Sequence, residues 1–195
     1  RYVAIEGLSA ERMCNMFKES LKELRSTRNL VAMAMLCALN VVTSWFTIPL
    51  SPTLKISFSY LSMSMIGHLF GPSCGIICGF ILDTVKFVIK PSGPYNPLWA
   101  LVEMGAGLLY GVLLYRKKPT IKRCFITKFI VSLIMNVLIT SALMAFLYTK
   151  GFIFYASSRV IKNLLLWPVE STVMYLILTR VAVLFKRDPQ PESKD

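Results

Sequence analysis

Ile56–Ile89, ISFSYLSMSMIGHLFGPSCGIICGFILDTVKFVI, is the stretch whose reading decides the fold. Two apolar runs, Ile56 to Phe70 and Ser73 to Ile89, meet at Gly71-Pro72. A single helix through both would hold Pro72 in its interior, at a cost of ~3 kcal/mol. The sequence therefore predicts two helices joined by a tight turn. Ser57, Ser59, Ser62 and Ser64 line the first run, so that helix is expected to face protein rather than lipid.

The same character extends outward in both directions. Further apolar spans run over Leu30 to Leu50, Leu98 to Tyr115, Phe125 to Tyr148 and Ala156 to Phe185. A helix rises ~1.5 Å per residue and the bilayer core is ~30 Å thick, so ~20 residues cross it. Leu30 to Leu50, Phe125 to Tyr148 and Ala156 to Phe185 clear that length. Composition agrees: the 195 residues are 55% hydrophobic and only 16% charged, where a soluble domain carries about 25% charged residues. Too few polar side chains remain to cover a water-facing surface, which excludes a soluble domain and a disordered chain. The expected fold is an all-α integral membrane protein, a single bundle of six transmembrane helices. Its parts are an N-terminal extension over 1–29, a membrane domain over 30–187 and a tail over 188–195.

In the extension, Phe17 to Arg28 (FKESLKELRSTR) reads as a short basic amphipathic helix suited to a membrane surface, while residues 1–15 show no clear pattern. No apolar run with a small-residue cleavage site opens the chain, so no signal peptide is expected; Met13 and Met16 are candidate starts.

The net charge of +12 is explained by where the charges sit. Six spans put residues 1–28, the 71–73 turn, loop 116–123 and residues 186–195 on one side, with fourteen Lys and Arg. The other side holds four: Lys55, Lys90, Lys150 and Arg159. The positive-inside rule makes the basic side cytoplasmic, with both termini there, in a multi-pass protein of the cell membrane. The bilayer, not nucleic acid, is the expected partner of this charge.

Charges inside the spans point to function. Asp83, Lys86, Glu103, Lys162 and Glu170 all lie in apolar runs. An ionisable group at a helix centre costs ~2.5–3.5 kcal/mol on insertion scales, so it faces a cavity or a partner. Asp83, Lys86 and Lys90 share one helical face, Trp99 and Glu103 another, and Arg159, Asn163, Trp167 and Glu170 a third. Aromatics mix with the charges: Tyr60, Tyr95, Trp99 and Trp167. Polar groups converging among apolar and aromatic walls are what a small-molecule pocket needs, and the stripes place it in the outer half. The Pro-dense loops 49–52 and 91–97 lie at that end. Pro168 is expected to kink the last span.

Other residues read as packing. Ala34 and Ala38, Gly75 and Gly79, and Gly107 and Gly111 form small-residue steps that let helix backbones approach. Cys74 and Cys78 share a face without other ligands, and His68, the single histidine, reads as structural. No metal site and no cofactor is expected. The sequence contains no G-x-x-x-x-G-K-[ST] and no G-x-S-x-G, so neither a P-loop ATPase nor a serine hydrolase is expected.

Leu54 to Leu61 (LKISFSYL), Leu69-Phe-Gly-Pro-Ser-Cys-Gly75, Asp83 within GFILDTVKFVIKPSGPY, and Leu109 to Lys118 (LYGVLLYRKK) together resemble the folate-specific S component of energy-coupling-factor (ECF) vitamin transporters. The resemblance runs from about Lys22 to Lys118. It implies a six-helix bundle that captures a vitamin from outside and docks on a transmembrane coupling subunit bound to two ATPases. It further implies that Ala34 and Ala38 contact the coupling subunit. The chemistry of folate suits the stripes. A pterin edge offers paired N–H donors to a carboxylate such as Glu103, Glu170 or Asp83. Its rings suit Trp99, Trp167, Tyr60 or Tyr95, and its acidic tail suits Lys55, Lys86, Lys90, Arg159 or Lys162. Alternatives are an S component for riboflavin, pantothenate or a thiamine precursor, a small membrane transferase, and a purely structural subunit. The carboxylates stand singly on different helices, which weighs against the transferase.

Overall fold

The computed structural model describes residues 2–45, 48–51, 54–56, 58–89, 96–147 and 152–184. Helix α1 (Tyr2–Glu23) precedes α2 (Thr27–Trp45), a two-stranded antiparallel hairpin of β1 (Ile48–Ser51) and β2 (Leu54–Ile56), then α3 (Ser59–Phe70) and α4 (Pro72–Ile89). Next come α5 (Leu98–Leu114), α6 (Ile121–Val131), a π-helical stretch (Ser132–Ile139), α7 (Thr140–Leu147) and α8 (Phe152–Leu184). Among the described residues the elements are helical apart from one short hairpin, which pairs Ile48 with Ile56 across the expected 49–52 loop. Among the same residues four segments are long and apolar enough to cross a membrane: Thr27–Trp45, Pro72–Ile89, Ile121–Phe146 and Asn163–Val181. Two shorter helices, α3 and α5, pack among them. The outward surfaces of α2, α4 and α8 are apolar, with Val31, Met35, Phe80, Val88, Leu164 and Leu165 all exposed. An apolar belt of this extent is stable only against lipid or another protein.

The expected turn at Gly71-Pro72 is present. Gly71 has φ 89°, a left-handed conformation that glycine adopts without strain, and its N–H closes the end of α3 on Gly67 O at 3.1 Å. Pro72 opens α4, a position with no intrahelical N–H bond to lose. Helix α1 lies against this turn. The Ser20 hydroxyl donates to Phe70 O (2.6 Å) and accepts from Cys74 N–H (3.1 Å), and Ser73 Oγ donates to Phe17 O (3.0 Å). One side chain therefore satisfies both a carbonyl at the end of α3 and an amide at the start of α4. Arg116, just past α5, pairs with Glu19 at 2.7 Å. The extension, the 71–72 turn and the start of loop 116–123 accordingly gather at one end of the bundle.

The amphipathic reading of Phe17 to Arg28 needs correction. The helix ends at Glu23, and the segment before Phe17 is helical as well. Leu24 to Ser26 form a tight turn of i to i−3 bonds, and Asn29 Nδ2 donates to Glu23 Oε2 at 2.6 Å across it. The chain thereby redirects from α1 into α2.

The glycine steps form the central seam. A Cβ at Gly75 would strike Gly107 O, one at Gly111 would strike Pro72, and one at Gly79 would lie 2.7 Å from Glu103 O. Helices α4 and α5 therefore touch backbone to backbone, as the small-residue spacing predicts. Tyr110, Ile66, Leu82, Leu114, Met174 and Leu178 fill the core around the seam. Ser62 and Ser64 are buried, in line with the protein-facing reading of that helix, and His68 Nδ1 donates to Leu114 O at 2.9 Å as a tie between α3 and α5. Helix α8 runs on through Pro168.

Candidate functional site: two buried charge pairs

The polar residues of α4 and α5 meet across the glycine seam. Lys86 Nζ lies 3.1 Å from Glu103 Oε1, with both side chains partly accessible at 22% and 33%. The pair forms because Gly79, two turns before Lys86, lets α4 rest on the backbone of Glu103 itself. Asp83 stands one turn before Lys86 on the same face and is half-buried. Trp99, one turn before Glu103, is also half-buried. At the start of α5, Asn96 Oδ1 accepts from Leu98 N–H at 3.0 Å and so fixes how this helix begins.

A second pair joins Glu170, one of the residues picked out by sequence, to Lys128, which was not. Lys128, in α6, is 6% exposed and lies 3.0 Å from Glu170 Oε2 of α8, itself 14% exposed. Its ammonium sits 3.5 Å from the centroid of the Tyr60 ring, a cation–π contact, and Tyr60 Oη donates to Glu170 O at 3.3 Å. Three helices, α3, α6 and α8, are thus tied at one point. Tyr110 of α5 is buried in the core. Lys128 lies eight residues past Thr120, within the apolar run that opens at Phe125. That placement was the available signal, obscured by the basic loop beside it.

The α8 stripe does not gather at one level. Trp167 packs edge-on against Phe125 (5.5 Å between ring centres) and against Phe129, and donates its indole N–H to Phe125 O at 3.0 Å. Phe125 and Phe129 both belong to α6, so Trp167 is engaged with that helix through its ring and its indole N–H. Helix α8 has 33 residues, and the eleven steps from Arg159 to Glu170 cover about 17 Å. Asn163 is half-buried. Arg159 and Lys162 lie on α8 and Lys55 on β2 with side chains outside the described residues, and Lys90 and Tyr95 lie wholly outside them.

Ala34 and Ala38 are exposed and line an apolar groove of about 340 Å³ between α2 and α4, together with Met33, Cys37, Ile81 and Val85. Among the described residues no three His, Cys, Asp or Glu side chains cluster as a metal site.

The family model described as "ECF transporter, substrate-specific component" matches residues 28–178. The chain belongs to this family. The match covers α2 to α8, so both charge pairs, the glycine seam and the alanine groove lie within it. Among relatives of this S component, the folate transporter FolT of Clostridium novyi (strain NT) is 26% identical over 152 residues, 78% of this chain and 88% of its own length. The folate transporter FolT of Leuconostoc mesenteroides is 28% identical over 163 residues, 80% of this chain and 88% of its own. A crystal structure of FolT bound with folic acid superposes with a TM-score of 0.72 at 28% identity, covering 83% of this chain and 96% of that one.

Proposed function

We propose that this S component binds folate in a pocket open to the outside and delivers it to a transmembrane coupling subunit with two ATPases. The observation that carries the reading is the Lys86–Glu103 pair, set into the rigid α4–α5 seam and still partly accessible. A carboxylate is a strong acceptor for the paired N–H donors of a pterin edge. Glu103 takes the ring edge in this reading, with Asp83 and Trp99 beside it. Glu170 is more deeply buried and already paired with Lys128, so it serves as a helix tie. Lys86 acts through Glu103, and the acidic tail falls to the basic residues Lys55, Lys90, Arg159 and Lys162. The FolT relatives and the folic acid complex supply the vitamin's identity.

All six helical rods from α2 to α8 are embedded, α6 and α7 forming one of them. Both termini are cytoplasmic, on the strength of the fourteen-to-four distribution of Lys and Arg. The exposed Ala34–Ala38 face receives the coupling subunit, because helices approach closely over small side chains.

The test is equilibrium binding of folate to the detergent-purified protein. Glu103→Gln is expected to cost ~1.5–3 kcal/mol, roughly tenfold to a hundredfold in affinity. Glu170→Gln is expected to lower thermal stability more than affinity. No binding of folate by the parent protein refutes the ligand; unchanged binding by Glu103→Gln refutes the site.

A further inference from the structure

The groove between α2 and α4 contains a feature that vitamin capture does not use. On α2 its wall is Ala34, Cys37, Ala38 and Val41, one face at helical spacing; on α4 it is Ile77, Cys78, Ile81, Leu82 and Val85. The two helices run in the same direction and step together, which sets Cys37 opposite Cys78. Both side chains line the groove, Cys37 from the α2 wall and Cys78 from the α4 wall. Cys37 is partly exposed and Cys78 is 4% exposed. The remaining cysteines are placed differently. Cys74 donates its S–H to Ser20 O and is fully buried, Cys124 is fully buried in α6, and Cys14 lies on the outer surface of α1.

We propose that Cys37 and Cys78 form a reversible disulfide that ties α2 to α4 and closes the alanine groove when an organic hydroperoxide, such as an oxidised acyl chain, reaches it. The Cys37 sulfur attacks the peroxide oxygen, becomes a sulfenic acid and releases the alcohol, which takes the Cys37 proton. The Cys78 sulfur then attacks the sulfenic sulfur and water leaves with the Cys78 proton. Two thiols and one hydroperoxide thus give one disulfide, one alcohol and one water. Two thiols that face one groove from opposite walls must close to ~2.05 Å to bond, so the reaction draws those walls together. Cys37 is the reacting sulfur because it is the more accessible of the two. The groove is lined by apolar side chains, which favours a lipid-borne oxidant over a polar one. Closing the groove blocks docking, a consequence that rests on the reading of Ala34 and Ala38 as the coupling face.

The test treats the protein in liposomes with cumene hydroperoxide. Intact mass is expected to fall by two hydrogens, peptide mapping to join Cys37 with Cys78, and dithiothreitol to reverse both; Cys37→Ser and Cys78→Ser are each expected to abolish the link. Independent alkylation of both cysteines after oxidation, or a link involving Cys14 instead, overturns the proposal. Co-purification with a co-expressed coupling subunit is expected to be lost on oxidation and retained by Cys37→Ser. Should the disulfide form while co-purification persists, in a preparation where Ala38→Trp abolishes it, the closure is refuted and the docking face stands. Should Ala38→Trp leave co-purification intact, the docking reading itself fails.

Discussion

Replacing Lys128 with methionine removes the ammonium that holds Glu170 at 3.0 Å and leaves a carboxylate that is 14% exposed without this cation. Breaking one side of a buried pair costs ~3–5 kcal/mol, because the remaining charge stays desolvated. The reverse change, Glu170→Met, is expected to be milder. Lys128 keeps the face of Tyr60 at 3.5 Å, and a desolvated cation–π contact retains ~2 kcal/mol. The double variant Lys128→Met/Glu170→Met removes both charges and restores apolar packing of similar volume, so it is expected to lie near the parent or above it. Thermal unfolding in a fixed detergent, followed by loss of the monodisperse species, measures all four proteins. For a chain of this size 3–5 kcal/mol corresponds to a fall on the order of 10 °C for Lys128→Met. Additive effects of the two single changes, within ~0.5 kcal/mol, would show that the pair is not a coupled tie and would return Glu170 to the ligand site.

Three further outcomes are expected. A cysteine introduced at Ser92 is labelled from outside by an impermeant maleimide and one at Thr120 is not; the opposite pattern inverts the orientation. Ala38→Trp abolishes folate uptake in cells carrying a coupling module but leaves folate binding by the purified protein within twofold, since Ala38 is exposed; lost binding places that face inside the fold. Gly75→Val drives side-chain atoms into Gly107 O and costs ~1–3 kcal/mol or more, whereas Ile77→Val on the exposed side of the same helix stays within ~0.5 kcal/mol; equal stability of the two contradicts the backbone seam.

The helical hairpin, the small-residue steps and the need of Lys86 and Glu103 for a cavity or a partner were readable because each depends on local chemistry. Pro72 cannot sit within a helix, glycine at i and i+4 marks a close approach, and a charge in an apolar run must find company. Lys128 escaped because its meaning is not local. It follows Lys122 and Arg123 closely, and the burial that sets it apart comes from α3 and α8, far away in sequence. The end of α1 at Glu23 was hidden for a similar reason. The helical pattern continues past it, and the Asn29–Glu23 bond that accompanies the redirection joins two residues on opposite sides of the break.

The position of Glu103 against Gly79 has a bearing on affinity. A binding site assembled from mobile parts must freeze them each time a ligand arrives, at ~0.5–1.5 kcal/mol for every long side chain immobilised. Here the backbone under Glu103 is clamped by direct contact with α4, and its carboxylate is aimed by a lysine on that same helix. If Glu103 takes the ligand as proposed, the ordering is completed when the protein folds, so the ligand meets a rigid acceptor and little entropy remains to be lost. Tight capture of a scarce solute needs such preorganisation. It also means that an enlarged side chain at Gly75 or Gly79, far from any ligand contact, would lower affinity by loosening the frame that aims Glu103.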